Sequence, residues 1–320
     1  MRFLIQPAVT TANGCLLAAA LALSTGCVAK PAPTGPAAQQ QQLLLVLERE
    51  MNSNTGWVRI HAADALIDHR HTQVVASSFA READTAAPPC RIGVWRVLAR
   101  AAATEEQRQA FIERIRRTML DPPAPDRVHA AESLAKLGAA SPSDSPALLE
   151  WLTTASEAAS VYPLWLLVLS GGTASEACSE ARLTGLLDSN DSTARLRAAF
   201  ALGRINTIST TSLTRLNRRL AVEPVDSPAR TYLAAALLRH SASDSAGAAH
   251  SKQVIRDCMN RRPPAERLEA ATTLGMFGTQ ADLRALAPLL RSPDADARIG
   301  AASGSLYILQ SKAPAGSVGH

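Results

Sequence analysis

Apolar and polar residues along this chain alternate with the period of a helix. Between Glu105 and Leu120, the residues Phe111, Ile112, Ile115, Met119 and Leu120 fall on one stripe and charges occupy the rest. That spacing predicts an amphipathic α-helix. Asp121-Pro122-Pro123-Ala124-Pro125-Asp126 follows, and its prolines withhold a backbone donor and fix φ, so the helix must stop. A second helix is expected from Arg127 to near Gly138, a residue type suited to the left-handed position that closes a helix. Similar breakers recur at Pro88-Pro89, Pro224 to Pro228, Pro263-Pro264 and Ser292-Pro293-Asp294, while Asp188 to Ser192 does the same work with capping residues. Strand signals are absent.

The second helix of each pair carries a repeated phrase: an arginine, an apolar residue, any residue, two small residues and soon a leucine. Clear copies start at Arg59, Arg127, Arg195 and Arg267, and worn ones at Arg91, Ser160, Arg230 and Arg298. Successive starts are separated by 32, 36, 33, 35, 35, 37 and 31 residues. A period of that length is the signature of stacked helical hairpins. The small pairs Ala62-Ala63, Ala130-Ala131, Ala198-Ala199 and Ala270-Ala271 would let a neighbouring helix approach closely, with Leu66, Leu134, Leu202 and Leu274 filling the layer beneath. One hairpin cannot bury its own apolar stripe, so it must stack on its neighbours. The low aromatic content, 4%, suits a core packed with alanine and leucine.

The Asp-containing turn followed by Arg, Ala-Ala and Leu-Gly is clearest in Asp191 to Gly203 and Asp294 to Ala302. With it, residues 44–310 resemble the HEAT repeat superfamily, in particular the short HEAT-like units of the phycobilisome lyase type. The resemblance implies an all-α, right-handed α-solenoid of about eight helical hairpins. It also implies that Arg59, Arg91, Arg127, Arg195, Arg230, Arg267 and Arg298 form a structural ladder, each bonding turn carboxylates or carbonyls. Repeats four and six depart from the pattern: Ser160 stands for the arginine, Pro163 for the first alanine, and repeat six reads Leu233-Ala234. The family implies binding or scaffolding far more often than chemistry.

Residues 1–27 read as an export signal rather than as structure. Arg2 precedes the apolar run Cys15 to Leu23, which is too short to span a bilayer. Ser24-Thr25-Gly26-Cys27 is similar to a bacterial lipobox, with Ser24 in place of the usual leucine. The expectation is a lipid on Cys27 and a membrane-anchored lipoprotein facing the periplasm or cell exterior, with ordinary signal cleavage nearby as the alternative. Residues 28–43, rich in proline and then glutamine, are expected to be a disordered tether, and 311–320 a flexible tail. Cys90, Cys178 and Cys258 fall in different repeats, too scattered for a disulfide framework or a metal-ligand spacing.

Candidate chemistry is sparse. His61, Asp64, Asp68, His69 and His71 form the densest polar group. Imidazoles and carboxylates together can hold a divalent metal, yet terminal repeats carry polar caps, and a solvated cap is the expected reading. No cofactor is expected, and the chain is read as a non-enzyme. The formal charge of +5, from 33 basic and 28 acidic residues, is a mild excess that falls short of a phosphate-tracking stripe, so nucleic acid is not an expected partner.

A second pattern lies at equivalent positions of the second helices, taking the residue two after the arginine and those three and seven further on, all on one face. Units one to four read His61, Asp64, Asp68; Gly93, Arg96, Arg100; His129, Glu132, Lys136; and Tyr162, Trp165, Leu169. Units five to eight read Arg197, Phe200, Arg204; Tyr232, Ala235, Arg239; Glu269, Thr272, Met276; and Gly300, Ser303, Tyr307. If second helices line the concave side, units two to six would offer a basic and aromatic groove for a protein partner, preferably anionic. Its residues are Arg96, Arg100, Lys136, Tyr162 and Trp165, then Arg197, Phe200, Arg204, Tyr232 and Arg239. Arginine and aromatic side chains are the types enriched at binding hot spots. The functional expectation is therefore a protein-binding scaffold, with an enzyme or accessory subunit using the first-repeat His/Asp cluster as the alternative.

Overall fold

A computed structural model describes residues 35–311 apart from 172, 243–244 and 262–263. The described residues are all-helical, with no strand among them. In chain order the helices are α1 (Pro36–Ser53), α2 (Gly56–Asp68), α3 (Thr72–Phe79), α4 (Cys90–Ala101), α5 (Glu105–Leu120) and α6 (Arg127–Lys136). Then come α7 (Ser145–Trp151), α8 (Glu157–Leu169), α9 (Thr173–Gly185), α10 (Ser192–Leu202) and α11 (Thr210–Val222). The last are α12 (Ala229–His240), α13 (Ala246–Arg261), α14 (Pro264–Phe277), α15 (Leu283–Leu286) and α16 (Ala295–Gln310).

Local chemistry sets the boundaries. Side-chain caps at Thr104, Ser156, Asp191, Ser209 and Asp294 accept backbone N–H groups that the first turns leave unpaired. Gly138 closes α6 with φ of 62°, in the left-handed region that an L side chain avoids. One boundary differs from expectation. The tether anticipated over 28–43 is helical from Pro36, because proline suits the first helical turn and the Ala-Gln run after it forms helix readily. Apolar burial begins only at Leu43 and Leu44. The proposed signal, the remainder of the tether and residues 312–320 lie outside the described residues.

The even-numbered helices pack on one another in sequence, from α2 on α4 through to α14 on α16, and α16 packs in turn on α1 and α2. Their contacts thus run in a closed cycle. The repeated small and leucine positions make these contacts: Ala62, Ala63, Ala130, Ala131, Ala198, Ala199, Ala270 and Ala271 are fully buried, as are Leu66, Leu134, Leu202 and Leu274. Backbones come closest between α14 and α16. A methyl added at Gly275 would lie 2.2 Å from the Gly304 Cα, and one at Gly304 would lie 2.3 Å from the Ala271 carbonyl oxygen. Only glycine fits there.

Two apolar clusters make the core. The larger runs from α4 to α16. The smaller joins the first helices to the last: Leu43, Leu47, Met51 and Ile60 share it with Ile299, Ala302, Leu306 and Leu309.

The repeated arginines bond turns and helix ends of their own hairpin or of a neighbouring one. Arg59 donates to the Met51 and Ser78 carbonyls and pairs with Glu82 at 2.8 Å. Arg91 forks onto Asp126, at 2.7 and 3.0 Å. Arg127 donates to Met119 O and lies over the Trp151 ring, 4.1 Å from its centroid. Arg195 bonds the buried Glu223 carboxylate and the Ser189 and Asn190 carbonyls, and Arg230 bonds the Leu220 and Glu223 carbonyls. Arg298, in the last unit, forks onto Glu50 of α1 at 2.7 and 2.6 Å. Arg267 makes no hydrogen bond among the described residues, and its Nε is buried. For Arg59, Arg91 and Arg195 the pairing thus advances from an arginine to a carboxylate of the following hairpin, and the step from Arg298 of α16 to Glu50 of α1 obeys the same rule.

Candidate functional site

The cycle turns the chosen face of the second helices inward. There His61, Asp64, Asp68, Glu132, Lys136 and Arg204 line a cavity of about 290 Å³, together with Phe200, Tyr232, Arg239, Glu269, Thr272 and Met276. A neighbouring cavity of about 400 Å³ shares Asp64, Asp68, Lys136 and Arg204 and adds Arg96, Arg100 and Trp165. Side chains from α2, α4, α6, α8, α10, α12, α14 and α16 thus line the two cavities.

Inside, cations and carboxylates are paired. Arg96, buried at 3% exposure, donates to Asp64 Oδ2 at 2.6 Å and to Ser133 Oγ at 3.1 Å. Arg100 spans Asp64 Oδ1 at 2.8 Å and Asp68 Oδ1 at 2.5 Å. Lys136 pairs with Glu132 at 2.6 Å. Arg204 and Arg239 share Glu269, one on each oxygen, at 3.1 and 3.2 Å. Burial by itself would raise these carboxyl pKa values, but the guanidinium groups of Arg96 and Arg100 hold Asp64 down to about 2. Arg204 and Arg239 likewise hold Glu269 at about 2 against its burial. Glu132 is also held below the usual carboxylate range, by Lys136, His129 and Arg96. Burial pushes the Lys136 ammonium down, an effect that Glu132 opposes and Arg96 and Arg204 reinforce.

Aromatic rings form one wall. Tyr162, Trp165, Phe200 and Tyr232 follow one another at centroid spacings of 6.5, 6.0 and 6.0 Å. Arg204 stacks 3.5 Å above the Phe200 centroid, and Lys136 sits 4.9 Å from the same ring. The indole Nε1 of Trp165 is buried and has no hydrogen-bond partner.

Eight of the ten groove residues therefore come together: Arg96, Arg100, Lys136, Trp165, Phe200, Arg204, Tyr232 and Arg239. Tyr162 and Arg197 lie outside both cavities. Arg197 is used within the wall, donating to Ala158 O in the first turn of α8 at 2.9 Å and lying over Tyr162. The cations of this face are met there by Asp64, Asp68, Glu132 and Glu269.

The first-unit cluster does not gather around a common point. His61 donates to Asp296 of α16 at 2.9 Å, and Asp64 and Asp68 serve the two arginines of α4. His69 packs against α16, where its ring nitrogens meet Ser303 Oγ at 3.1 Å and Gln310 Oε1 at 3.0 Å and Tyr307 lies 4.7 Å away. His71 lines a separate surface depression with Arg70, Thr72 and Gln73. Among the described residues, no group of three or more His, Cys, Asp or Glu side chains could hold a metal ion. The solvated cap expected here is covered instead: His69 is 4% exposed because the last unit lies upon the first.

Sequence reasoning passed over one informative residue. Glu50 stands nine positions before Arg59, as Glu82 stands nine before Arg91. In the ladder, such a carboxylate receives the arginine of the preceding unit. Glu50 holds that place in α1, and the arginine it receives is Arg298 of α16.

Among known proteins, no family model matches the chain and no curated protein is significantly similar to it.

Proposed function

We propose that this chain is a non-catalytic protein-binding scaffold, exported and held at a membrane by a lipid on Cys27. Its body is a right-handed array of eight HEAT-like hairpins whose last hairpin closes on the first. The observation that most supports a binding role is the convergence of side chains from six second helices upon one polar cavity open to solvent. Each carboxylate there is paired with a cation of the protein, so the arrangement presents a fixed, pre-ordered set of groups rather than a titrating site. An α-helix with its side chains is about 10–12 Å across, too wide for a cavity of about 290 Å³. The partner accordingly meets the mouth and inserts a side chain or a chain end. Met276, on the rim and 40% exposed, is the apolar contact at that mouth.

Capture on the full-length protein in its native host, followed by titration of the purified partner, tests this reading. Met276→Arg is expected to weaken binding at least about tenfold, the cost of burying an unpaired charge in an interface. Unchanged affinity would remove the mouth from the binding surface. The anchor is tested separately: Cys27→Ser is expected to move the protein from the membrane to the soluble fraction, and a variant that stays membrane-bound overturns lipidation.

A further inference from the structure

The hydrogen-bonding capacity of the central cavity is lopsided. Its carboxylates are already engaged by cations: both oxygens of Asp64 are taken by Arg96 and Arg100, both of Glu269 by Arg204 and Arg239, and one of Asp68 by Arg100. The oxygens of Glu132 face Lys136 and His129. Its donors are in surplus. Lys136 carries three N–H groups and has one carboxylate partner, and the buried Trp165 indole N–H has none. A buried donor without an acceptor is costly, so such a wall calls for acceptors from elsewhere. The charges lean the same way, with five cationic side chains (Arg96, Arg100, Lys136, Arg204 and Arg239) against four carboxylates (Asp64, Asp68, Glu132 and Glu269). One negative charge would balance them. Apolar surface also lines the wall, with Trp165, Phe200, Tyr232, Leu268 and Met276 offering ring faces and a thioether beside His61 and the hydroxyls of Thr272 and Ser303.

From these observations we infer that the central cavity binds a small organic monocarboxylate, its oxygens taken by Lys136 and the Trp165 N–H and its apolar body lying on the aromatic wall. A cation would have to compete at every carboxylate with a guanidinium or ammonium group already bound there. A dianion such as phosphate overshoots the single excess charge and leaves the aromatic wall uncovered. Volumes of about 290 and 400 Å³ fall at the lower end of small-molecule pockets. The proposal needs no protein partner: a chain that takes up the carboxylate and captures nothing upholds this site and sinks the scaffold reading, and the reverse result does the opposite.

Calorimetric titration of the purified protein at pH 8, where phosphate is mostly the dianion, with benzoate, benzylamine and inorganic phosphate tests it. Benzoate is expected to bind with one site per chain and to raise Tm, as any ligand of the folded state does. Benzylamine, of similar shape and opposite charge, gives no binding, and phosphate binds at least about tenfold more weakly. Trp165→Phe keeps a ring in the wall and deletes the N–H, and should weaken benzoate about tenfold, the scale of one hydrogen bond to a charged group. If that variant fails to fold by circular dichroism, Lys136→Gln reads the same site through its other donor, with an equal or larger loss. No heat with benzoate up to about 10 mM, binding of benzylamine as tight as that of benzoate, or unchanged affinity in the folded variant each overturns the proposal.

Discussion

Two junctions in this molecule use one chemical device at different distances along the chain. Between α10 and the turn after α11, Arg195 holds the buried Glu223, 28 residues away. Between α16 and α1, Arg298 holds the buried Glu50, 248 residues away. For a flexible chain, closing a loop that much longer costs only about 2 kcal/mol more, because the entropy grows with the logarithm of length. Each fully buried leucine contributes about 1.5–3 kcal/mol, and the seam buries Leu43, Leu47, Leu306 and Leu309 together. Burial therefore wins over the separation. What differs is reinforcement. An internal junction is held by covalent continuity and by neighbours on both sides. The seam is held by side chains alone, and behind it the outer helix α15 is four residues long, flanked by 3-10 turns. The seam is the junction expected to open first.

Core truncation tests that difference most strongly. Leu202 and Leu306 are both fully buried, one inside the array and one at the seam. Leu202→Ala and Leu306→Ala should each cost roughly 2–5 kcal/mol, the usual sum of lost transfer energy and residual cavity. The distribution of the loss should separate them in native-state hydrogen exchange. Leu306→Ala is expected to accelerate exchange in α1, α2 and α16 while α8 to α12 keep their protection, whereas Leu202→Ala should lower protection across the whole array. Uniform loss in both variants would make the seam an ordinary junction.

The ion pairs offer a smaller contrast. Arg298→Ala leaves the Glu50 carboxylate buried, with Asn54 and the exposed Arg49 as its remaining partners, and should cost about 2–3 kcal/mol by urea unfolding. Adding Glu50→Gln, which removes the stranded charge, should recover about half of that loss. Arg195→Ala is expected to cost less, about 1–2 kcal/mol, because Arg219 and Ser227 still bond Glu223. A double variant no more stable than Arg298→Ala alone would mean that these side chains meet without coupling.

The array itself was legible in the sequence because its physics is local. Helical spacing, proline and capping breaks, and the small pairs before each leucine are all read within about 35 residues, and the buried alanines and leucines stand where that reading put them. The groove residues were legible as a set for the same reason, since equivalent positions share a face. Their electrostatics were not. Arg204 and Arg239 meet Glu269 because α10, α12 and α14 pack in succession, and the angles at which they pack are not written in any one of them. The seam was hidden for the same reason, except in Glu50. The start of α1 was misplaced because Pro36 and the glutamines after it fit a tether by composition and a helix by propensity alike.

Acidity gives the mildest contrast between seam and interior. His69 sits in the seam with its ring between Ser303 and Gln310, an arrangement that a neutral imidazole satisfies by accepting from the hydroxyl and donating to the amide oxygen. Burial pushes its pKa below the ordinary value, against the raising effects of the Gln310 hydrogen bond and of Asp68. A group whose folded pKa is depressed stabilises the fold fully above its unfolded value, about 6.5 for histidine, and loses that contribution as pH falls below it. The interior carboxylates Asp64 and Glu269 have the same sign in a lower window, since their folded values near 2 keep their contribution intact until pH drops below about 4. Between pH 7.5 and 5.5, then, hydrogen exchange corrected for its intrinsic pH dependence should quicken in α1, α2 and α16 while the α8 to α12 region stays constant. His69→Gln, which cannot take up a proton, should flatten that slope. If the slope survives the substitution, some other group at the seam titrates, and His69 is only a packing residue under α16.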